Sequence, residues 1–458
     1  LGLTLLDANN QPLYYTITES AAWTRGDFHG HNGTIDGVLA ANTTRYAVAR
    51  VPAGLGERLA VNMTGAGTNQ RSAPTIIDLN TLPMTGNQRT GQNMAQIQQD
   101  THGDPANRVD LLVIGDGYTA AQQNKFNADV NQLMNGFFSI TPYAQYRPYF
   151  NVTRLFVPSA QSGADHPPYD PNYTGGGRQP ARCTDPAAAT NPLAGRFVDT
   201  ALNASYCGNG VHRLLLVDIP LTLAAAATYP EWDEILVIVN DPTYGGSGGT
   251  FGVFSTAPQV VQIAQHEFGH TFTGLADTYE TPYPGYPACS DINTSTTDDC
   301  EPNVTDQTDR SAIKWAHWLH SNTPTPTAEQ TPSAPPTAVG LYPGARFRSH
   351  GMYRSSDTSL MRELDKAFSP VENEAFVRRL YNGWPGADGI NPIDAVTPAN
   401  TNPLTLTTDE TQTFHARLLA PIGGPGVQAV WSVNGQTVNT VQNITQTAYT
   451  FTPTAPGR

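Results

Sequence analysis

Apolar and polar residues alternate in short runs over the first 95 positions of the 458-residue chain. Clear examples are the segments 45–51 and 59–63, which Gly- and Asn-rich turns separate from their neighbours. Alternation with a period of two puts successive side chains on opposite faces of a sheet, and no useful length of this region repeats with the period of a helix. The pattern predicts an N-terminal β-sandwich domain over residues 1–95.

From about residue 100 the pattern changes to alternating strands and helices. Apolar runs that are continuous rather than alternating indicate a sheet that is covered on both faces. The predicted strands are 109–114, 151–157, 213–217, 234–239 and, at an edge of the sheet, 250–255. The predicted helices are 119–137, 258–272 and 371–381. We therefore expect an α/β domain over residues 100–384, with a long loop region at 281–345 that has no periodicity.

Residues 400–458 again alternate between apolar and polar positions. The predicted strands are 404–407, 413–418, 428–433 and 448–451, with Asn434-Gly435 as a hairpin turn. This spacing is typical of an immunoglobulin-like β-sandwich, here incomplete by its last strand. The stretch 383–402 is rich in Pro, Gly and Asn and predicts a linker that few contacts cross. The predicted fold class is therefore multidomain, α/β and β.

The charge of the chain excludes one class of partner. The net charge is −14 at pH 7, and lysine occurs only at Lys125, Lys314 and Lys366. An acidic surface with so few lysines repels phosphate backbones, so nucleic acid is not an expected partner. No apolar run approaches the roughly 20 residues that a membrane-spanning helix needs, so no transmembrane segment is predicted.

The four cysteines form two pairs that are local in sequence, Cys183 with Cys207 and Cys289 with Cys300. Both pairs lie in polar, loop-rich segments, and the pairing of near neighbours is the simplest of the three possible connectivities. Disulfides indicate an oxidising compartment, so a secreted or cell-surface protein is expected. A four-thiolate zinc site is the alternative, but the chain has no Cys-x-x-Cys spacing to favour it.

A His-Glu-x-x-His motif, His266-Glu267-Phe268-Gly269-His270, lies on the predicted helix 258–272. Residues four apart share one face of a helix, so both imidazoles can reach a single zinc ion. Glu267 points to the edge of that face, where it can hold a metal-bound water and accept its proton. A chance match in a helix is the alternative explanation.

A third protein ligand is needed, and the helix is broken at Gly274 shortly before two candidates. Asp277 is the first choice, because a chain that reverses after Gly274 returns a carboxylate to the metal within a few residues. Glu280 is the rival, since its longer side chain can also reach. A more distant residue, such as Glu363 or His350, is the remaining alternative.

Three further residues are candidates for supporting roles. Met361, in the segment 358–362, is placed to form a Met-containing turn that gives the metal a hydrophobic floor, although an isolated methionine is usually core filler. Tyr353 and Tyr381 are candidates for stabilising the oxyanion of a tetrahedral intermediate. The sequence does not choose between the two tyrosines.

At this point the chain resembles the IgA-peptidase family of zinc metallopeptidases. The matching pieces, in chain order, are the segments 115–119, 150–152, 158–165, 266–270 with 274–277, and 360–362. The resemblance covers about residues 100–382 and implies a zincin-like fold, an extracellular or cell-surface bacterial endopeptidase, and ligand and base roles for His266, Glu267, His270 and Asp277. Cleavage of IgA does not follow from it.

This chain departs from the pattern in two places. Thr278 stands where members of the family often have an acidic residue, which alters the hydrogen bonding of the ligand turn. Gly274 follows His270 by four residues and not by three as in Met-turn zinc peptidases generally, so the geometry of the third ligand cannot be borrowed from those.

The sequence therefore predicts a secreted endopeptidase with one catalytic zinc ion per chain, in which Glu267 activates the water. Its expected substrates are extracellular proteins, peptides or glycoproteins. Two other functions remain open: a surface binding protein whose zincin is catalytically degenerate, and a zinc hydrolase of glycopeptides or cell-wall peptides. A structural calcium ion cannot be derived from the sequence.

Overall fold

The computed structural model describes most of the chain from residue 96 onward, together with six strands before it. The described residues are 2–6, 12–17, 23–29, 35–41, 58–62, 75–78, 96–229, 231–248, 251–282, 286, 288–291, 299–329, 338–383, 389–399, 404–424 and 426–454. They form several sheets and few helices, a mixed α/β structure.

The described residues before position 96 are all in strands, in accordance with the alternating pattern of this region. The strands are β1 (Gly2–Leu6), β2 (Pro12–Ile17), β3 (Trp23–His29), β4 (Ile35–Ala41), β5 (Arg58–Asn62) and β6 (Thr75–Asp78). Four of them form an antiparallel sheet in the order β2-β1-β5-β6, and β3 pairs with β4 in a hairpin. The segment 45–51 lies outside the described residues.

A six-stranded sheet carries the central region. Its strands are β7 (Gln96–Asp100), β8 (Val109–Asp116), β9 (Phe150–Phe156), β10 (Glu234–Val239), β11 (Gly246–Ser247) and β12 (Gly252–Phe254). The order is β11-β12-β10-β8-β9-β7, with parallel pairing among the four central strands and antiparallel pairing at both edges. Central parallel strands are buried on both faces, as the continuous apolar runs predict.

Helices cover the two faces of this sheet. They are α1 (Gln123–Phe137), α2 (Ile219–Ala226), α3 (Val260–Thr271) and α4 (Pro370–Asn382). Side chains of β8 alternate between two cores: Leu111 and Val113 pack with residues of α1, α3 and α4, whereas Leu112 and Ile114 pack with α2. The predicted helices are thus found, and α3 lies against the sheet through its buried residues Val260, Ala264 and Phe268 and through Phe272 directly after it.

Two strand predictions in this region are wrong. Residues 213–217 are buried but form no regular strand, because their backbone makes single bridges to two different neighbours, Ser205↔Leu216 and Leu214↔Gly246. The segment 250–255 contains β12, but β12 is not the edge strand. The glycine-rich chain before it folds back as β11 and takes the edge position.

The region after α3 contains more regular structure than its lack of periodicity predicts. It forms a three-stranded sheet in the order β13-β15-β14, from β13 (Val304–Thr305), β14 (Val339–Ala345) and β15 (Arg348–Ser356). A disulfide joins Cys289 to Cys300 in this region, and a second joins Cys183 to Cys207. These are the pairs that the local spacing favours.

The C-terminal region consists of two small sheets. Its strands are β16 (Ile393–Thr397), β17 (Gln412–Leu418), β18 (Val427–Val433), β19 (Gln436–Ile444) and β20 (Gln446–Phe451). They pair as β16-β17-β20 and β18-β19, with Asn434 and Gly435 at positive φ in the predicted hairpin turn. The strand prediction at 404–407 is wrong: this segment forms no regular structure, and Leu404 is half exposed.

Contacts across the predicted linker are more extensive than expected. Asp394 of β16 forms a buried ion pair with Arg108 at 2.7 Å, and Leu419 lies in the core that contains α3. The hydroxyl of Tyr149 donates to the carbonyl of Leu419 at 3.0 Å. The described segments 389–399 and 404–422 therefore pack against the α/β region, so the prediction of a linker that few contacts cross is wrong.

Candidate metal centre

The helix α3 presents His266 and His270 on one face because they are four residues apart. His266 is 1% exposed, and the side chain of His270, near the end of the helix, is 10% exposed. The two Nε2 atoms lie 3.0 Å apart. The pair is therefore aimed at one point in a mostly buried site.

Each imidazole is held from behind by a backbone carbonyl. Nδ1 of His266 donates to the carbonyl of Leu360 at 2.9 Å, and Nδ1 of His270 donates to the carbonyl of Leu275 at 2.5 Å. A carbonyl can only accept, so Nδ1 carries the proton in both rings and Nε2 keeps its lone pair. Histidines that bind metals are oriented by such contacts in most proteins.

The chain reverses direction directly after α3, as the glycine predicts. Gly274 adopts φ +74°, a conformation that side chains disfavour, and its N–H donates to the carbonyl of His270. The reversal brings the carbonyl of Leu275 to His270 and returns the buried Asp277 to the helix.

Asp277 completes a group of three donor atoms. Its Oδ1 lies 3.4 Å from Nε2 of His266 and 3.3 Å from Nε2 of His270. Donors around one tetrahedral zinc ion at about 2.0–2.1 Å are separated by roughly 3.3 Å. Two neutral imidazoles and one carboxylate are also a donor set that zinc uses in enzymes, so these residues fit the ion.

Glu267 is buried beside this group, at 2% exposure. Its carboxylate faces the backbone at Gly248, the residue after β11, where an added Cβ would lie 2.0 Å from Oε2. The carboxylate is therefore enclosed between α3 and the edge of the sheet.

Met361 is fully buried against the helix that carries the two histidines. A Cβ added at Gly269 would lie 3.0 Å from its sulfur, so the side chain packs directly against the backbone of α3. Its carbonyl accepts from the N–H of Thr278 at 3.0 Å and from the Thr278 hydroxyl at 3.2 Å. The methionine turn and the turn that carries Asp277 are thus joined.

A sequence model of the family described as IgA Peptidase M64 matches residues 97–175 and 182–332, which is half of the chain. The matched segments contain the His-Glu-x-x-His motif and Asp277, whereas Met361 lies downstream of them. The chain belongs to this peptidase family. No curated protein matched the chain.

Within this member of the IgA Peptidase M64 family, the rival ligand Glu280 has another partner. Its carboxylate forms an ion pair with Arg362 at 2.5 Å, and its side chain is 40% exposed. Glu363 lies near Lys366 at the surface, and Nδ1 of His350 lies 2.8 Å from the hydroxyl of Ser349. These contacts favour Asp277 over all three alternatives.

The two tyrosines named from the sequence lie in different surroundings. The hydroxyl of Tyr381, on α4, lies 2.6 Å from that of Tyr149. Tyr353, on β15, pairs with Thr305 and packs against a cluster that includes Trp315.

Tyr279 was not found by sequence reasoning. Its hydroxyl lies 3.4 Å from Nε2 of His266, and the residue is 4% exposed. One feature of the sequence could have indicated it: Tyr279 comes two residues after Asp277. In an extended segment, side chains two residues apart point to the same side, so a turn that returns Asp277 to the histidines also returns Tyr279. The structure thus brings the hydroxyl of Tyr279 to Nε2 of His266, one of the candidate metal-ligating atoms.

The described residues contain one other group with metal-ligand atoms close together, Asp291, Cys300 and Asp306. The sulfur of Cys300 is in a disulfide with Cys289, and the Lys314 ammonium lies 3.1 Å from Asp291. Bonded sulfur and a neighbouring cation make this group a poor cation site.

Proposed function

We propose that the protein is a secreted zinc-dependent endopeptidase, with His266, His270 and Asp277 as the metal ligands and Glu267 as the general base. One observation carries the proposal: three buried donor atoms lie 3.0–3.4 Å from one another, and both histidines are held at Nδ1 by carbonyls. Membership of a peptidase family supports a peptide bond as the target.

A zinc ion held by His266, His270 and Asp277 would lower the pKa of a bound water to about 7 and would polarise a carbonyl group. The chain's own residues supply the rest of the chemistry. Asp277 contributes the negative charge of the ligand set, while the carbonyls of Leu360 and Leu275 keep the two rings from turning.

Glu267 follows His266 directly and lies at the edge of the ligand face. In this position its carboxylate accepts the proton of the attacking water and later donates it to the leaving amine. Its enclosure between α3 and Gly248 limits the ways in which the carboxylate can turn. Met361 supports the helix under the two ligands.

Two disulfides support an extracellular location, since such bonds persist in oxidising compartments. None of the described helices has both the length and the apolar character that a membrane span requires. We further propose a β-sandwich at 1–95, the catalytic domain at 100–384 and an immunoglobulin-like module at 400–458, with the flanking modules serving attachment or spacing.

The test combines metal analysis with a substrate panel. The full chain is purified, its zinc content is measured, and it is incubated with proteins, glycoproteins and peptidoglycan fragments with and without a chelator. We expect about one zinc per chain and chelator-sensitive cleavage of proteins. Cleavage of peptidoglycan fragments alone would point to a cell-wall hydrolase, and zinc binding without any cleavage would point to a binding protein.

A further inference from the structure

A buried carboxylate, Glu372, lies at the start of α4 and is 1% exposed. Its Oε2 accepts from the N–H of Ser369 at 2.7 Å, and its own N–H donates to the Ser369 hydroxyl at 3.3 Å. This is a capping box, which satisfies two backbone N–H groups at the start of the helix. The cap uses one of the two carboxylate oxygens.

The other oxygen, Oε1, reaches away from the helix to two residues outside the cap. It accepts from Nδ2 of Asn303 at 3.2 Å and from the hydroxyl of Ser359 at 2.8 Å. Burial raises the pKa of Glu372, and the hydrogen bonds from Ser369, Ser359 and Asn303 oppose that rise. A capping box can form at a surface, so the cap alone does not require full burial of a carboxylate.

Asn303 connects this oxygen to the turn that carries Asp277. Its Oδ1 accepts from the N–H of Ala276 at 2.8 Å, and its Nδ2 donates to the carbonyl of Ala276 at 2.9 Å. The fully buried amide therefore holds both backbone groups of the residue directly before Asp277.

Ser359 connects the same oxygen to the turn that carries Met361. The next residue, Leu360, supplies the carbonyl that orients His266, and the carbonyl of Met361 holds Thr278. One carboxylate oxygen is thus hydrogen-bonded to both segments that set the directions of His266 and Asp277.

We propose that Glu372 and Asn303 are positioning residues of the metal site, acting through Ala276 on Asp277 and through Ser359 on His266. This inference rests on the proposed metal centre. The turn that carries Asp277 and the turn that carries Met361 are about 80 residues apart in the chain and meet at the site. Loop segments of this kind hold ligands in place only when other groups fix their positions. Outer partners of metal ligands typically change metal affinity by about 10–100-fold when they are removed.

Three substitutions in the full chain test this. Glu372→Gln leaves one oxygen as an acceptor. That oxygen can accept either from the Ser369 N–H of the cap or from Asn303 and Ser359, and the new NH₂ group then faces a donor on the other side. Asn303→Ala removes both bonds to Ala276. Ser359→Ala removes one hydroxyl and leaves the cap and the Asn303 contacts intact, so it is the variant that keeps the fold with the least change.

The control is Asp218→Ala, which removes the side-chain cap of α2. In that cap, Oδ1 of Asp218 accepts from the N–H of Leu221 at 2.9 Å. Helix α2 lies on the opposite face of the sheet from the metal site. All proteins are compared for melting temperature, for the zinc dissociation constant by chelator competition, and for the visible spectrum with cobalt(II). The measurements are made at a temperature at which each protein is folded by circular dichroism.

We expect zinc affinity to fall by about 10–100-fold in Glu372→Gln and Asn303→Ala and by roughly 10-fold in Ser359→Ala, with altered cobalt spectra. Asp218→Ala should lower the melting temperature alone. Wild-type zinc affinity and spectrum in every folded variant, including Ser359→Ala, would overturn the inference. A wild-type protein that retains no zinc would instead overturn the proposed metal centre, so the two failures are distinct.

Discussion

Gly248 lies so close to Glu267 that a Cβ at position 248 would be 2.0 Å from Oε2 of the carboxylate. Real Cβ atoms do not approach other heavy atoms this closely, so a side chain at position 248 would move the carboxylate from the place it occupies here. The edge of the sheet thereby constrains the proposed general base.

The first prediction concerns this contact. Gly248→Ala should lower kcat by at least about 10-fold while zinc content stays at the wild-type level, because the added methyl displaces the carboxylate but touches no ligand. The control is Gly176→Ala, where an added Cβ meets nothing within 4 Å. Equal kcat values for the two variants would show that the position of the Glu267 carboxylate does not determine the rate of hydrolysis.

Glu267→Gln should retain zinc and lose hydrolysis by about 10²–10⁴-fold, because the amide keeps the size of the side chain but accepts no proton at neutral pH. Zinc content and the hydrolysis rate of a casein-type substrate are measured on the same preparation. Cleavage at the wild-type rate would remove Glu267 from the mechanism.

Asp277→Asn should weaken zinc retention by more than about 10-fold, since the site loses its anionic ligand. Glu280→Gln is the matched control, because Glu280 is close in sequence yet pairs with Arg362. Dissociation constants from chelator competition decide between the two. If Glu280→Gln loses zinc and Asp277→Asn keeps it, the ligand assignment is reversed.

Asp394→Asn should lower the free energy of unfolding at pH 7 by about 3 kcal/mol, because it leaves the buried Arg108 guanidinium without an anion. The hydrogen bond from Arg108 holds the pKa of Asp394 below its usual value of 3.8, against the opposing effect of burial. A lowered pKa contributes stability that is complete above pH 3.8 and is lost as the pH falls through the lowered value.

The difference between wild type and Asp394→Asn should therefore be constant from pH 6 to 8 and shrink below about pH 4. Denaturant unfolding at several pH values measures it. The control is Glu363→Gln, whose surface pair with Lys366 should contribute less than about 1 kcal/mol. A loss no larger than the control's would mean that the ion pair of Asp394 with Arg108 contributes little to the attachment of β16 to the catalytic region.

Several elements of the fold were predictable because burial alone determines them. The continuous run at 109–114 and the four-residue spacing of Val260, Ala264, Phe268 and Phe272 match β8 and α3. Strand partners were less predictable. Residues 213–217 are as apolar as a strand but form single bridges to two neighbours, and β16 lies in a stretch whose composition predicts a linker.

The sequence by itself determined that the two imidazoles would share one helix face, because residues four apart lie one above the other on a helix, and that Glu267, as the next residue after His266, would lie at the edge of that face. Only the tertiary structure decided which groups surround them. The carbonyl that orients His266 comes from Leu360, 94 residues away, and the amide that holds Ala276 comes from Asn303, 27 residues away. Such contacts join segments that meet only after the chain has folded. The hydrophobic periodicity of a segment predicts which of its faces is buried, but it does not predict which other segment packs against that face.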